Sequence, residues 1–248
     1  MIVIKSDQDL ERMRVSNGIA ARVRDEVAAK ASPGVTTAEL GEYADELIRK
    51  AGGKSAFLGY RGFPGQICVS VNDAVVHGIP GPRRIEMGDI VSLDVGVLID
   101  GFYGDTATTV MVGVTDPAVI KLVRTTQRAL EAGLAEACVG KRLGDVSHAI
   151  QRTAEAAGFT IVRDFVGHGI GRDLHEEPQV PNFGKQGRGP LLKAGMTLAI
   201  EPMVNTGRAD VEVQKDGWTV LTKDRLPSAH FEHTVAIRDG EVEILTKT

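Results

Sequence analysis

Residues 89–112 read DIVSLDVGVLIDGFYGDTATTVMV. Two runs of β-branched and apolar residues flank Asp100-Gly101, a dipeptide that favours the tight turn of a β-hairpin. Each run carries one acid, Asp94 and Asp105, at a position where a lone carboxylate is costly to bury. A four-residue loop over 98–101 pairs Val97 with Phe102 and sets Asp94 directly across from Asp105. Opposed Cβ atoms lie about 4.5–5.5 Å apart, and like charges so placed destabilise the pair. Packing alone gives no reason for two acids to face each other on buried strands.

Outward from this hairpin, helical and strand patterns alternate in blocks. Leu10, Met13, Ile19, Val23 and Val27 recur at helical spacing over 7–30, with Asp7 as the expected N-cap. The segment SPGVTTAELGEYADELIRKAGG predicts a second helix, capped by Thr36 or Thr37 and stopped at Gly52-Gly53. Strand-like segments follow around 66–71 and 90–112. Asp116-Pro117 opens a helix expected to reach about 139, and another covers about 143–157. Strands are then expected near 160–166, 196–204, 211–213, 218–222 and 231–237.

Helices, strands, helices, strands is the order of a duplication. Gly34 and Gly140 each precede a helix that ends in Ala-Gly, at Ala51-Gly52 and Ala157-Gly158. MGDIVSLD (87–94) aligns with AGMTLAIE (194–201), which places Glu201 where Asp94 stands. FYGDT aligns loosely with AHFEH and places Glu232 where Asp105 stands. The second hairpin is longer, since Glu201 and Glu232 are 31 positions apart and Asp94 and Asp105 only 11. No Pro/Ser-rich linker interrupts the chain. The expectation is one α+β domain over 1–248, with related halves of approximately 1–112 and 113–248 sharing a sheet and core.

Composition narrows the function classes. The 248 residues are 42% hydrophobic and 25% charged, with a net charge of −4 and both signs mixed along the chain. That balance argues against a nucleic-acid binder relying on a broad basic face, leaving room only for a local patch, and no direct nucleic-acid role is expected. Cys68 and Cys138 form no disulfide framework. The N-terminal MIVIKSDQDLERMR has too few apolar residues for a signal peptide or a membrane span. The reading is an enzyme-sized cytoplasmic protein in a reducing compartment.

Four acids at equivalent places on two related hairpins cannot all stay ionised in a buried site without compensating positive charge. No Lys or Arg lies close in these strands, and two divalent cations balance four carboxylates. His168 is suggested as a fifth ligand, because Gly167, Gly169 and Gly171 let its backbone approach a metal closely. His77 and His175 lie in Gly/Pro-bounded loops, which favours substrate contact over packing. His148 reads as an ordinary helix residue. His230 and His233 flank Glu232 and are expected to point away from whatever it faces.

The motifs HGIP, GDIVSLDVG, DGFYGDTATT, GHGIGRDLHEEPQVP, TLAIEPMV, DGWTV and SAHFEHT, in this order over about 60–237, resemble those of the type I methionine aminopeptidases. The resemblance implies a pita-bread (creatinase/aminopeptidase) fold with pseudo-twofold symmetry and a curved, mainly antiparallel sheet covered by helices. It implies a dinuclear metal site whose ligands match Asp94, Asp105, His168, Glu201 and Glu232. His77 and His175 match the family's substrate-contacting histidines. Tyr60, Phe63, Cys68 and Trp218 match the lining of its methionine pocket. Phe57 and Leu174 stand where relatives often carry Cys and Phe, which puts the fine shape of the pocket in question.

The residue types suit that chemistry. A water bridging two divalent ions becomes a nucleophile near neutral pH. Glu201 is placed as general base, His175 as donor to the oxyanion, and His77 as a contact to the scissile amide nitrogen. An oxygen-rich set with one imidazole discriminates poorly among Co, Mn, Fe and Zn. The expected activity is removal of the initiator methionine from nascent chains whose second residue is small and uncharged. The partners are then nascent N-termini, with the ribosome as a candidate place of action and a monomer as the expected state. Two rivals are an Xaa-Pro peptidase on the same fold, which usually carries a further N-terminal domain, and a non-catalytic binding module, which typically has lost metal ligands.

Overall fold

The computed structural model describes residues 1–248. The first half contributes helices α1 (Asp7–Lys30) and α2 (Thr37–Lys50) and strands β1 (Lys54–Ser55), β2 (Cys68–Val71), β3 (Ala74–Val76), β4 (Ile90–Ile99) and β5 (Phe102–Met111). The second half opens with α3 (Pro117–Glu136) and α4 (Leu143–Ala156), followed by β6 (Thr160–Ile161), β7 (Gly167–Gly169), β8 (Glu176–Val180), β9 (Thr197–Ile200) and β10 (Met203–Asn205). The chain ends with β11 (Val211–Val213), β12 (Val220–Thr222), β13 (Ser228–His230), β14 (Glu232–Ala236) and β15 (Glu243–Ile244).

The helix ends show which local signals prevailed. Ser6, not Asp7, caps α1: its hydroxyl accepts from the Asp9 amide at 3.2 Å, and the Asp9 carboxylate accepts from the Ser6 amide at 3.1 Å. Two orphan donors are satisfied reciprocally, which a lone Asp7 could not do. Thr36 caps α2 in the same way with Glu39. The third helix stops at Glu136, short of 139, because the chain then turns to pair Arg142 with Leu191. The strand expected near 160–166 shrinks to Thr160–Ile161, since Phe165 leaves the sheet to pack beside Val76 and Val162. Sequence reading missed β8, a strand carrying Pro178 and two glutamates, as suits a strand at the end of its sheet.

The deciding hairpin forms with a tighter turn than expected. Ile99 pairs with Phe102, so the loop is Asp100-Gly101 alone, and both residues have positive φ (50° and 77°). That is the turn whose twist matches the flanking strands, and it outcompetes a four-residue loop. Asp94 therefore lies opposite Ala107, and Asp105 opposite Gly96. The slip is by an even number of residues, so both acids keep the same face. They become diagonal neighbours, about 7–8 Å apart at the backbone. A cation fits between such a pair where a direct opposition would be a clash.

The strand order β1-β4-β5-β14-β9-β7-β8, all antiparallel, joins the two halves at β5–β14. Alternation sorts the faces. Val91, Leu93, Val95 and Val97 of β4 pack with Ile19, Val23, Leu40 and Ile48 of α1 and α2. Leu198, Ile200 and Val235 pack with Leu130, Leu134, Val146 and Ile150 of α3 and α4. The α1–β5 approach is so close that a Cβ on Gly104 would collide with the backbone of Ser16 and Asn17. Residues of the other parity, Asp94, Asp105, His168 and Glu232, are turned to the opposite face. No helix is long and apolar enough to cross a membrane.

Candidate active site

All five expected ligands line one cavity of about 160 Å³, together with His77, His175, Tyr60, Phe63, Cys68 and Trp218. Asp94 and Asp105 come from β4 and β5, His168 from β7, Glu232 from the start of β14, and Glu201 from the residue after β9. Ligand atoms of Asp105, His168 and Glu232 lie within 4.8 Å of one another. His168 Nδ1 is 2.8 Å from the Gly169 carbonyl, an acceptor only, so Nδ1 carries the proton and Nε2 the lone pair. That lone pair faces Asp105 Oδ2 at 3.8 Å and Glu201 Oε1 at 3.6 Å.

Three acceptors aimed at one space repel one another. One oxygen each of Asp94, Asp105 and Glu232 is buried without a hydrogen-bond partner. Within ion-pairing distance Asp105 and Glu201 meet only imidazole nitrogens, never a lysine or arginine. Burial, then repulsion from Glu232 and Asp94, pushes the Asp105 carboxyl well above its usual range. Burial followed by neighbouring acids does the same to Glu201 and Glu232. Asp94 rises to about 7 through burial, opposed by hydrogen bonds with Asp105 and Cys68. His168 is held down to about 3, mainly by burial, and so is neutral and available as a ligand. Orphaned carboxylate oxygens around a neutral imidazole fit a divalent cation of the borderline series.

Around this floor the walls are apolar and aromatic. Phe63 and Trp218 meet edge to face at 5.1 Å, and Trp218 reaches His77 at 6.3 Å. The β3–β12 pairing of Val76 with Val220 brings that tryptophan, from the surplus of the second hairpin, over the first half. Phe57 and Leu174 also line the cavity, and the Phe57 ring occupies the space a Cβ on Gly96 would need. His77 adopts φ 58°, a left-handed conformation uncommon outside glycine, and burial lowers it to about 4. His175 stacks on Tyr60, ring centroids 5.3 Å apart, and lies tilted by 47° against His168, 4.2 Å away. The Tyr60 hydroxyl lies 2.8 Å from His175 Nδ1.

Two residues at the site escaped the sequence reading. Arg61 lines the cavity, and its charge adds to burial in lowering His175. His230 does not point away: its Nε2 lies 3.8 Å from Glu201 Oε2. A residue two positions from Glu232 shares its face by strand alternation, so the parity argument itself should have found it. His233, one position away, does turn to the other side, where Nδ1 meets the Thr246 hydroxyl at 2.8 Å.

The floor of the cavity sets orphaned carboxylate oxygens around a neutral imidazole, and residues 11–239 match the model of metallopeptidase family M24. A methionine aminopeptidase of Clostridium perfringens is 49% identical over 246 residues, covering 99% of both chains. The crystal structure of methionine aminopeptidase from Thermotoga maritima superposes with a TM-score of 0.99 at 47% identity, over the whole of both chains. Prolidase from Pyrococcus furiosus, 21% identical with a TM-score of 0.79, shares the fold over 99% of this chain and 66% of its own. The fold is thus the expected pita-bread fold. The chain belongs to the M24 metallopeptidases and, within them, to the type I methionine aminopeptidases.

Proposed function

We propose that this protein removes the initiator methionine from polypeptides whose second residue is small and uncharged. The observation that carries the proposal is the His168 lone pair facing Asp105 and Glu201 across a space edged by orphaned carboxylate oxygens. The reading includes two divalent cations held by Asp94, Asp105, His168, Glu201 and Glu232. When bound, such cations supply carbonyl polarisation and a lowered pKa for water. It also includes one catalytic domain of two related halves, acting in the cytoplasm as a monomer on nascent N-termini.

Each side chain has a task consistent with its place. The cavity matches one side chain in scale, since about 150 Å³ takes a single benzene ring. Tyr60, Phe63, Trp218 and Cys68 offer the aromatic and polarisable surface that a thioether prefers, worth about 0.3–1.5 kcal/mol per contact. The acids beneath favour a free α-amine over a blocked one. Glu201 accepts the proton of the attacking water and delivers it to the leaving amine. If Tyr60 donates to His175 Nδ1, His175 carries its proton on Nε2 and donates to the developing oxyanion. His77, braced by Phe165 and Trp218, contacts the scissile amide nitrogen.

The test is release of free methionine from Met-Ala-Ser and Met-Lys-Ser, with and without chelator and added Mn or Co. Release from Met-Ala-Ser alone, abolished by chelator and restored by metal, is expected. Equal release from both peptides, or release indifferent to chelator, would sink the proposal.

A further inference from the structure

Lys5, just ahead of α1, is the one buried lysine of the chain. Its Nζ lies 2.5 Å from Glu176 Oε2, with side-chain exposures of 3% and 7%, and its own amide donates to the Gly195 carbonyl at 2.7 Å. The other oxygen of Glu176 accepts from the Arg172 amide at 2.9 Å and lies 3.4 Å from the Asp173 amide. One carboxylate therefore binds the N-terminal segment on one side and the turn that leads into His175 on the other. Gly171 makes the approach possible, because a Cβ there would collide with Lys5 Cε and Glu176 Oε1. A second tie, Arg172 to Asp9 at 3.0 Å, involves a 62% exposed arginine and holds the turn only weakly.

A buried ion pair is a poor way to gain stability, since desolvation offsets much of the attraction. What such a pair does well is hold one geometry, and the residue adjoining Glu176 is His175. We propose that Lys5 is a positioning residue for His175: through Glu176 it fixes the 171–176 turn, and with it the ring held between Tyr60 and His168. This rests on the assignment of His175 as the oxyanion donor. The N-terminal segment, with no side chain in the cavity, thereby sets the geometry of the reaction.

The experiment is a double-mutant cycle of Lys5→Met and His175→Ala, with Lys5→Arg as the conservative control. Steady-state kinetics on Met-Ala-Ser, bound metal after dialysis and melting temperature are read for each variant. Lys5→Met is expected to lower kcat by about 10- to 100-fold, the scale of a small misplacement at the reacting centre. KM and bound metal should stay unchanged, Lys5→Arg should recover most of the loss, and Lys5→Met should add nothing in the His175→Ala background. If Lys5→Met folds too poorly to assay, Lys5→Met/Glu176→Gln removes both charges together and is judged by the same criteria. Full kcat in these variants, loss of metal, or an undiminished effect in the His175→Ala background overturns the link to His175. A fully active His175→Ala enzyme instead overturns the assignment of His175 itself.

Discussion

Removing the metal should leave a protein whose stability falls as pH rises above neutrality. In the metal-free site Asp105, Glu201 and Glu232 have carboxyls held well above their ordinary values, chiefly by burial, so each keeps its proton to higher pH in the native state than in the unfolded chain. The native state then binds more protons, and stability declines with pH between the unfolded and folded pKa values. His77, His168 and His230 are shifted the opposite way, to about 4, 3 and 3. Their contribution rises with pH only up to about 6.5, so it is flat above that. While one of these carboxyls holds its proton in the native state and is ionised in the unfolded chain, stability falls by about 1.4 kcal/mol per pH unit. For a chain of this size, at about 2–4 °C per kcal/mol, one such carboxyl widens the gap between metal-loaded and metal-free melting temperatures by about 3–6 °C for each pH unit over which it holds its proton. Circular-dichroism melts with excess chelator and with saturating Mn, at pH 6.5 and 8.5, measure this. Titration calorimetry in buffers of different ionisation enthalpy should register protons released on metal binding. A constant gap with no proton release would refute the reasoning.

Asp105→Asn keeps the shape of the side chain and removes one charge. It should weaken metal binding by more than the roughly 10–100-fold that altering a ligand's hydrogen-bond partner costs, and calorimetry with Mn reports it. His168→Ala should lose metal, whereas His175→Ala should keep it and lose about 10²–10³-fold in kcat, as for one oxyanion donor. Metal content after dialysis separates the two, and a metal-free His175→Ala protein would reverse the assignment. Tyr60→Phe removes only the hydroxyl 2.8 Å from His175 Nδ1, so a loss on the order of fivefold in kcat is expected, the worth of one hydrogen bond. A change confined to KM would mean that Tyr60 serves the pocket alone.

Much of the site was legible because it depends on local rules. Asp100-Gly101 announces a hairpin, and period-two alternation decides which residues share a face. The wrong loop length left Asp94 and Asp105 on one face, since an even slip preserves parity. Aligning 87–94 with 194–201 pointed to Glu201 and Glu232, which lie just past β9 and at the start of β14, and β14 meets β5 directly. The same rule, misapplied, cost His230.

Residue type and parity were thus set by the sequence alone, because each is a property of the chain over a few residues. The register of the hairpin was set by the competition between turn geometries, which only the folded twist resolves. The tautomer of His168 depends on the Gly169 carbonyl, and the setting of His175 on Tyr60. Lys5 reaches Glu176 across 171 positions of sequence. Such contacts exist only when the sheet, the helices and the intervening turns have all taken their places, so no local pattern carries them. The gathering of Asp105, His168 and Glu232 from three separate strands to within 4.8 Å of one another is, likewise, a property of the tertiary structure.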